Sequence, residues 1–416
     1  MKLSLPYAGC MVDVDFRETD VILLQTEAAA DVDEAQTLLD ALASPVAAPP
    51  LADFLGTADD AVVIVNDAKR PTPTARVLAH MRPELAKLGE LTFMVATGTH
   101  RPPTPPELER ILGESATWNA RVTVHDSKDA SAMRCLGKTD LGTDVSISAR
   151  VTDASRIVVI GSVEPHYFAG FTGGRKAFLP GVAAYETVRQ NHSHAMHPGS
   201  NLMALEGNPV HEDMMCALDL VGGRDIFAVM TVLDKRRRIV GAFAGDIRAT
   251  FRPAVEMARE LYASPIEEKA DVVIAVAESP SDSDLYQAHK AIESGKLALA
   301  DGGILILVAA CSEGLGNDAF VCQLSSSSCP ENVASDLGLE YRLGDHKAAK
   351  LAELLVRADV WAVTELPDAT VESIFFRPCS GLQAAVDDAL RTKGPGARVL
   401  VIMDAAATVP LLSPTT

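Results

Sequence analysis

Short runs of consecutive apolar residues recur along the chain, and a turn signal closes several of them. Residues 62–65 run into Asn66 and Asp67, 93–96 into Thr97 and Gly98, and 157–160 into Gly161 and Ser162. Further runs occupy 272–276, 304–308 and 398–403. Each is four to six residues long, and helix-like stretches such as 83–88 and 252–262 precede most of them. A strand that is apolar on both faces must be covered on both faces. Continuous apolar strands alternating with helices therefore predict an α/β fold with buried, mainly parallel sheets. In such sheets ligands collect beyond the carboxyl ends of the strands, and there the unusual residues of this sequence stand.

A helix ending near residue 262 is separated from the next strand by Ala263, Ser264 and Pro265 and by the charged run Glu267, Glu268, Lys269. That break predicts an N-terminal α/β domain over 1–265 and a C-terminal α/β domain over 270–395. The Pro/Ala-rich stretch 43–50 and the serines at 325–328 read as loops. A chain of 416 residues also exceeds what one core usually serves, so more than one domain is expected on length alone.

Charge narrows the function. With 37 Lys+Arg against 56 Asp+Glu, the net charge of −19 repels phosphate backbones and anionic headgroups, which argues against nucleic-acid or membrane-surface partners. A local basic pocket for a small anion is still allowed. No apolar run reaches the roughly 18 residues of a spanning helix, and the start of the chain lacks the sustained apolar core of a secretory leader. Seven cysteines, an odd number, lie far apart with no CxxC pair. They predict reduced thiols in a cytoplasmic protein and no zinc site built on cysteine.

Five stretches carry candidate chemistry. VNDAKRPTPT (65–74) leaves a strand and supplies Asp67, Lys69 and Arg70 before a helix, a natural place for an anion. ATGTHRP (96–102) presents His100 from a glycine turn. GSVEPHYFAGFTGGRKAFLPG (161–181) is the richest, with five glycines, His166, and Arg175-Lys176 directly after Gly173-Gly174. It fails the Walker spacing, but glycine permits close backbone approach to a ligand. The alternative is a flexible loop with a solvated Arg-Lys pair. NHSHAMH (191–197) carries three histidines, yet helical neighbours two apart point away from each other, which favours one ligand over three. In DLYQAHKAI (284–292), Gln287 and Lys290 share a helical face and together suit a carboxylate, although such pairs are common on exposed helices.

Taken in order, these stretches resemble the nickel-dependent lactate racemase family. The resemblance runs from about Val62 to Gly316 and includes His125-Asp126, GTDV (142–145), DGG (301–303) and CSEGLG (311–316). Its most specific part is PHYFAGFTGGRK (165–176) with Asn191-His192 downstream. The resemblance implies two α/β domains with an active-site cleft between them and a C-terminal stretch, 396–416, that returns to the first domain. It implies a nickel-pincer nucleotide held covalently through a thioamide at Lys176. His192 is then the protein's nickel ligand beside two sulfurs and one carbon of the cofactor. Asp67, Arg70, Thr172, Gly173 and Gly174 are expected around the cofactor. His100 and His166 are the expected acid/base pair, and Arg70, Tyr286, Gln287 and Lys290 the expected substrate contacts. The implied partners are a small 2-hydroxy acid and the cofactor-maturation enzymes.

Chemistry agrees with those roles. Pulling the α-proton from a 2-hydroxy acid leaves a carbanion beside a carboxylate, which gains little stabilisation. Removing that hydrogen as hydride leaves a planar 2-keto acid that is re-reduced on either face, and no protein side chain accepts hydride. Sulfur donors with an imidazole suit Ni(II). The two enantiomers present their hydroxyls in different directions, so two bases are needed, and histidine fits both roles near neutrality. There are two departures from the family pattern. Lys69 stands where the family commonly has threonine, an extra cation that bears on phosphate contacts or on a second anionic group of the substrate. Thr172 stands where it commonly has serine, which keeps the hydroxyl. Lactate, malate, 2-hydroxyglutarate, aryl-lactates and sugar acids stay open as substrates, as does oligomeric state. A carboxylate- or metal-binding paralogue without turnover is the rival reading, and a zinc hydrolase using His192, His194 and His197 a third.

Overall fold

The computed structural model describes residues 1–17, 19–26, 32–222, 226–316, 318–337 and 341–413. The chain divides into two compact units, one comprising Ala28–Leu261 and the other Met1–Glu27 with Tyr262–Thr416. Each is a mixed α/β body built on a six-stranded, mainly parallel sheet.

In the Ala28–Leu261 unit the sheet order is Ile239–Asp246, Ile226–Leu233, Ile157–Ser162, Asp60–Asn66, Glu90–Ala96, Arg121–Val124. All neighbours are parallel except the Ile239–Asp246 edge strand, which returns antiparallel. The central strands are apolar on both faces, as their sequences demand. Val63, Val65, Phe93, Val158 and Ile160 are fully buried with Leu78, Met81 and Leu85 from the Thr74–Leu85 helix. From Asp60–Asn66 the chain moves outward to Glu90–Ala96, whereas from its neighbour Ile157–Ser162 it moves the other way to Ile226–Leu233. The carboxyl ends of these two adjacent strands are therefore the topological switch point, where open α/β sheets bind ligands.

The other unit has an all-parallel sheet in the order Arg377–Pro378, Asp359–Val363, Leu299–Val308, Ala270–Val276, Val399–Ile402, Val21–Leu24. This corrects the expected domain limits at both chain ends. Residues 1–26 do not belong to the Ala28–Leu261 body. Val21–Leu24 forms the sheet edge beside Val399–Ile402, and Leu5, Val14 and Phe16 of the N-terminal hairpin are buried against Val272, Ile274 and Val401. Nor does 396–416 return to the first domain. Val399–Ile402 is a fully buried strand that needs a neighbour on each side, and it has them in Ala270–Val276 and Val21–Leu24. Beyond it, Val409–Leu412 pairs in parallel with Ala263–Ile266. Trp361 is core in Asp359–Val363, with the Arg377 guanidinium 4.1 Å from its ring centre. No disulfide links the seven cysteines. Among the described residues no helix is long and apolar enough to cross a membrane.

Candidate active site

The switch point is tied together by hydroxyls. Asn66 Nδ2 donates to Thr72 Oγ1 at 2.6 Å, Thr72 Oγ1 meets Ser162 Oγ at 2.9 Å, and Ser162 Oγ donates to Glu164 at 3.2 Å. This ladder fixes the loop after one strand to the loop after its neighbour. Asp67, the first residue beyond the Asp60–Asn66 strand, is 5% exposed, and its Oδ2 lies 2.7 Å from His100 Nδ1. His100 itself is exposed at the end of Glu90–Ala96. The pairing places an Nδ1–H on the Asp67 side of the ring. Lys69 is exposed on the same turn, where its backbone N–H donates to Asp67 Oδ1 at 3.3 Å.

The glycine-rich loop turns back under itself. Gly170 has φ +73° and faces the Ala204 carbonyl so closely that any side chain there would overlap it. At Gly173, φ is +83° and a β-carbon would sit 2.6 Å from Val163 Cγ2. Only glycine serves at such positions. Thr172, expected at the cofactor, is 4% exposed and its hydroxyl holds the loop, donating to Ser162 O at 2.9 Å and accepting from Glu164 N at 2.8 Å. The fold of the loop brings Lys176 Nζ to 3.3 Å from His166 Nε2 and 5.5 Å from the Phe168 ring centre. Burial, then the Arg70 and Arg175 charges, pulls the Lys176 amine well below the usual lysine range. Burial, then Lys176 and Arg70, does the same to His166. The Ala169 N–H donates to His166 Nδ1 at 3.3 Å, and Nε2 is the ring nitrogen that faces the amine. Arg70 belongs to this cluster through its charge on both groups.

His192 ends the Tyr185–Ser193 helix and lies edge-on to Phe168 at 5.0 Å. Its Nδ1 is 3.1 Å from Asn191 Oδ1. Asn191 is fully buried, and its Nδ2 donates to Asp213 Oδ2 at 2.8 Å and to Val210 O at 3.2 Å. With its amide so committed, Asn191 turns its oxygen to His192, which sets the proton on Nδ1 and the lone pair on Nε2. Metal-binding histidines are oriented in this way. Asp213 also accepts from Thr139 and from Thr143 at 2.8 Å, which accounts for the GTDV stretch. His125 is likewise structural, with Nε2 2.9 Å from Ala183 O and its basicity lowered chiefly by burial. His197 is exposed and accepts from Gly199 N at 3.0 Å. Among the described residues no group of three or more His, Cys, Asp or Glu is placed to hold a metal, so the three-histidine zinc site has no geometry.

In the other unit, Asp284 caps the Leu285–Ala298 helix by accepting from Gln287 N at 2.8 Å. Tyr286 and Gln287 are half-buried on its first turn and Lys290 is exposed one turn on. Lys347, unnoticed in the sequence, places its ammonium 3.1 Å from the Tyr286 ring centre and donates to Tyr286 O at 3.1 Å. Burial, then the charge of Lys290, brings Lys347 down to about 7. Arg175 overturns the reading of a solvated Arg-Lys pair, since it is 1% exposed.

A two-body α/β protein with a histidine-lysine cluster at a sheet switch point is an enzyme architecture, and comparison with known proteins gives it a family. A family model described as the lactate racemase N-terminal domain matches residues 9–203, and one described as the lactate racemase C-terminal domain matches 266–409. A lactate racemase of Lactiplantibacillus plantarum is 31% identical over 385 residues, covering 89% of each chain. One from Thermoanaerobacterium thermosaccharolyticum is 29% identical over 423 residues, covering 98% of this chain and 99% of that one. The solved structure of the lactate racemase apoprotein from the latter organism superposes with a TM-score of 0.90 at 28% identity, covering 99% of this chain and all of that one. A Thermotoga maritima crystal structure, at 18% identity and a TM-score of 0.72, shares the fold over 92% of this chain and 99% of its own. The chain belongs to the lactate racemase family and is an isomerase.

Proposed function

We propose that the protein racemises or epimerises a small 2-hydroxy acid, using a nickel-pincer nucleotide anchored at Lys176 with His192 as the nickel ligand. The observation that carries this reading is the Lys176 amine held 3.3 Å from His166, where burial and then the Arg70 and Arg175 charges disfavour its protonation. An amine destined for a thioamide bond must be uncharged to attack. The donor set fits the group as well. Among the described residues the protein offers one oriented imidazole and no complete metal cage, which suits a metal whose other ligands arrive with the cofactor. Thr172, Gly173 and Gly174 form the loop that would seat the cofactor, with Asp67 and Arg70 across the switch point. When bound, the group supplies the two-electron acceptor for the hydrogen on the α-carbon.

The chain's own residues do the rest. His100 offers Nε2 to the substrate hydroxyl, and Asp67 fixes its tautomer and ring plane. His166 handles the proton for the opposite enantiomer. Once Lys176 is held in the thioamide it can take up no proton, so it exerts no positive charge on His166. Arg70, Lys290, Gln287 and Tyr286 are assigned to the substrate, with the cations on its carboxylate, so that the keto acid is retained between the two half-reactions. Lactate is the substrate named for the relatives; the exposed Lys69 is a reason to include dicarboxylic hydroxy acids in the screen. Maturation enzymes are the proposed partners and the cytoplasm the proposed setting.

The test is intact mass and nickel content after co-expression with cofactor-synthesis enzymes. A mass increment on Lys176 with near-stoichiometric nickel is expected. Unmodified protein without nickel, beside a loaded positive control, overturns the assignment in favour of a binding paralogue. A finer prediction concerns Asp67→Asn. The amide leaves His100 free to hold either tautomer, so kcat should drop on the order of 10²-fold while cofactor loading, read by mass, stays intact. A variant with unchanged kcat would remove Asp67 as the positioning residue.

A further inference from the structure

Arg175 is among the largest fully buried side chains, at 1% exposure, and its environment is unusual for a guanidinium. Its partners are main-chain carbonyls: Nη2 donates to Ala169 O at 2.8 Å, and Nη1 to Thr172 O at 3.3 Å and Gly173 O at 3.4 Å. Nε is buried without a hydrogen-bond partner, and the plane lies 4.4 Å from the centre of the Phe251 ring. Burial alone brings its basicity down to about 9, with no carboxylate offsetting that among the described residues. Across Phe251, His211 stacks at 6.0 Å and is pushed down to about 3 by burial and then by Arg175. Removing a charge from water without a counter-ion is expensive, and a chain rich in carboxylates had counter-ions to offer. The position next to Lys176 gives the charge a purpose.

We infer that Arg175 is a positioning residue for Lys176: bonded to three carbonyls of the glycine loop, it holds that loop in place and fixes a solvent-sealed cation next in the chain to the amine that takes the cofactor. The inference rests on Lys176 being the attachment point. The groups that face the amine are Arg70 from the loop after the Asp60–Asn66 strand, Arg175 and His166 from its own loop, and the Phe168 ring. Two of these are cations, and like charge in a poorly solvated site disfavours a third. Burial holds the amine below its usual range first, then the half-exposed Arg70, then Arg175, which is the one of the two cations sealed from solvent.

The test reads the amine itself in cofactor-free full-length protein. Acetic anhydride is attacked by a neutral amine, which forms the acetamide with loss of acetate and of the amine proton to solvent. Pulsed labelling across pH, followed by peptide mass spectrometry, gives the pH of half-maximal reactivity for every lysine. Below that pH the amine is protonated and silent; above it the amine reacts. Lys176 is expected to reach its midpoint below the surface lysines of the same sample. In Arg175→Met the midpoint rises, and labelling at a fixed pH below it falls about tenfold or more. A Lys176 midpoint within the ordinary lysine range in the unaltered protein overturns the inference without any variant. So does a folded Arg175→Met protein with an unmoved midpoint. A low midpoint in protein that never gains the cofactor mass would instead count against Lys176 as attachment point and leave the role of Arg175 standing.

Discussion

Lys176→Ala protein, co-expressed with the maturation enzymes, should keep its unmodified mass, bind no nickel and racemise nothing above the enzyme-free rate. The side chain is part-buried, with its amine 5.5 Å from the Phe168 ring centre, and lies outside the close-packed core, so folding stability should change by no more than about 1 kcal/mol. Lys176→Arg should be equally dead, since a guanidinium stays charged and does not form the amide. What makes the loss total is the geometry of the loop. Gly170 and Gly173 admit no side chain, Thr172 is bonded on both sides, and Arg175 is fixed to three carbonyls, so no neighbouring amine can swing into the vacated place. Lys69 lies exposed on a different loop. Full racemase activity in the alanine variant would sink the covalent anchor and with it the proposed mechanism.

The loop could be recognised from sequence because its constraint is local. Five glycines with a histidine and a lysine among them have few uses other than close approach to a ligand. The strand ends were legible for the same reason: a run such as 157–160 must be buried on both faces wherever the chain goes. What was hidden depends on contacts between distant residues. The Asp67–His100 pair joins positions 33 apart, and only the parallel register of Asn66 against Ala96 brings the two strand ends level. Asn191 and Asp213, which set the tautomer of His192, are similarly remote from each other in sequence. A signal was present in Asn191 preceding His192, but a buried asparagine looks the same as an exposed one on the page. Arg175 illustrates the point most sharply, because adjacent Arg and Lys ordinarily mean solvent.

The chain ends were misassigned for a different reason. The first fifteen residues alternate, with Leu3 and Leu5 and then Val12 and Val14 at every second position around Ala8-Gly9, and both of those residues take positive φ. That is a two-residue hairpin, legible from alternation and turn chemistry. Its docking partner was not legible. Nothing local says that Leu5 and Val14 are buried beside Val272, more than 250 residues on, or that Val21–Leu24 closes the edge of the second sheet. Domain membership of a terminal segment is decided by which sheet has an apolar edge to cover, and that is a property of the assembled fold.

Replacing His100 or His166 by a residue that cannot carry a proton, for example His100→Ala and His166→Gln, should each lower racemisation by about 10² to 10⁴-fold, and should do so in both directions. The symmetry is the informative part. In one direction His100 takes the hydroxyl proton and His166 returns one after the keto acid has presented its other face; in the reverse direction the roles exchange. Neither histidine is therefore dispensable for either enantiomer, although each half-reaction touches only one of them. The variants should still differ in a partial reaction. With a single enantiomer and a single turnover, the variant lacking the base for that enantiomer should fail to release the 2-keto acid, whereas the other should release it on acid quench in near-normal amount. Cofactor loading should survive in His100→Ala, because Asp67 and His100 lie on loops apart from the Lys176 segment. Loading into His166→Gln tests whether the histidine 3.3 Å from the amine also assists attachment. Near-normal rates in either variant, in either direction, would rule out a two-base scheme for this protein and require the proton to pass through some group other than this pair.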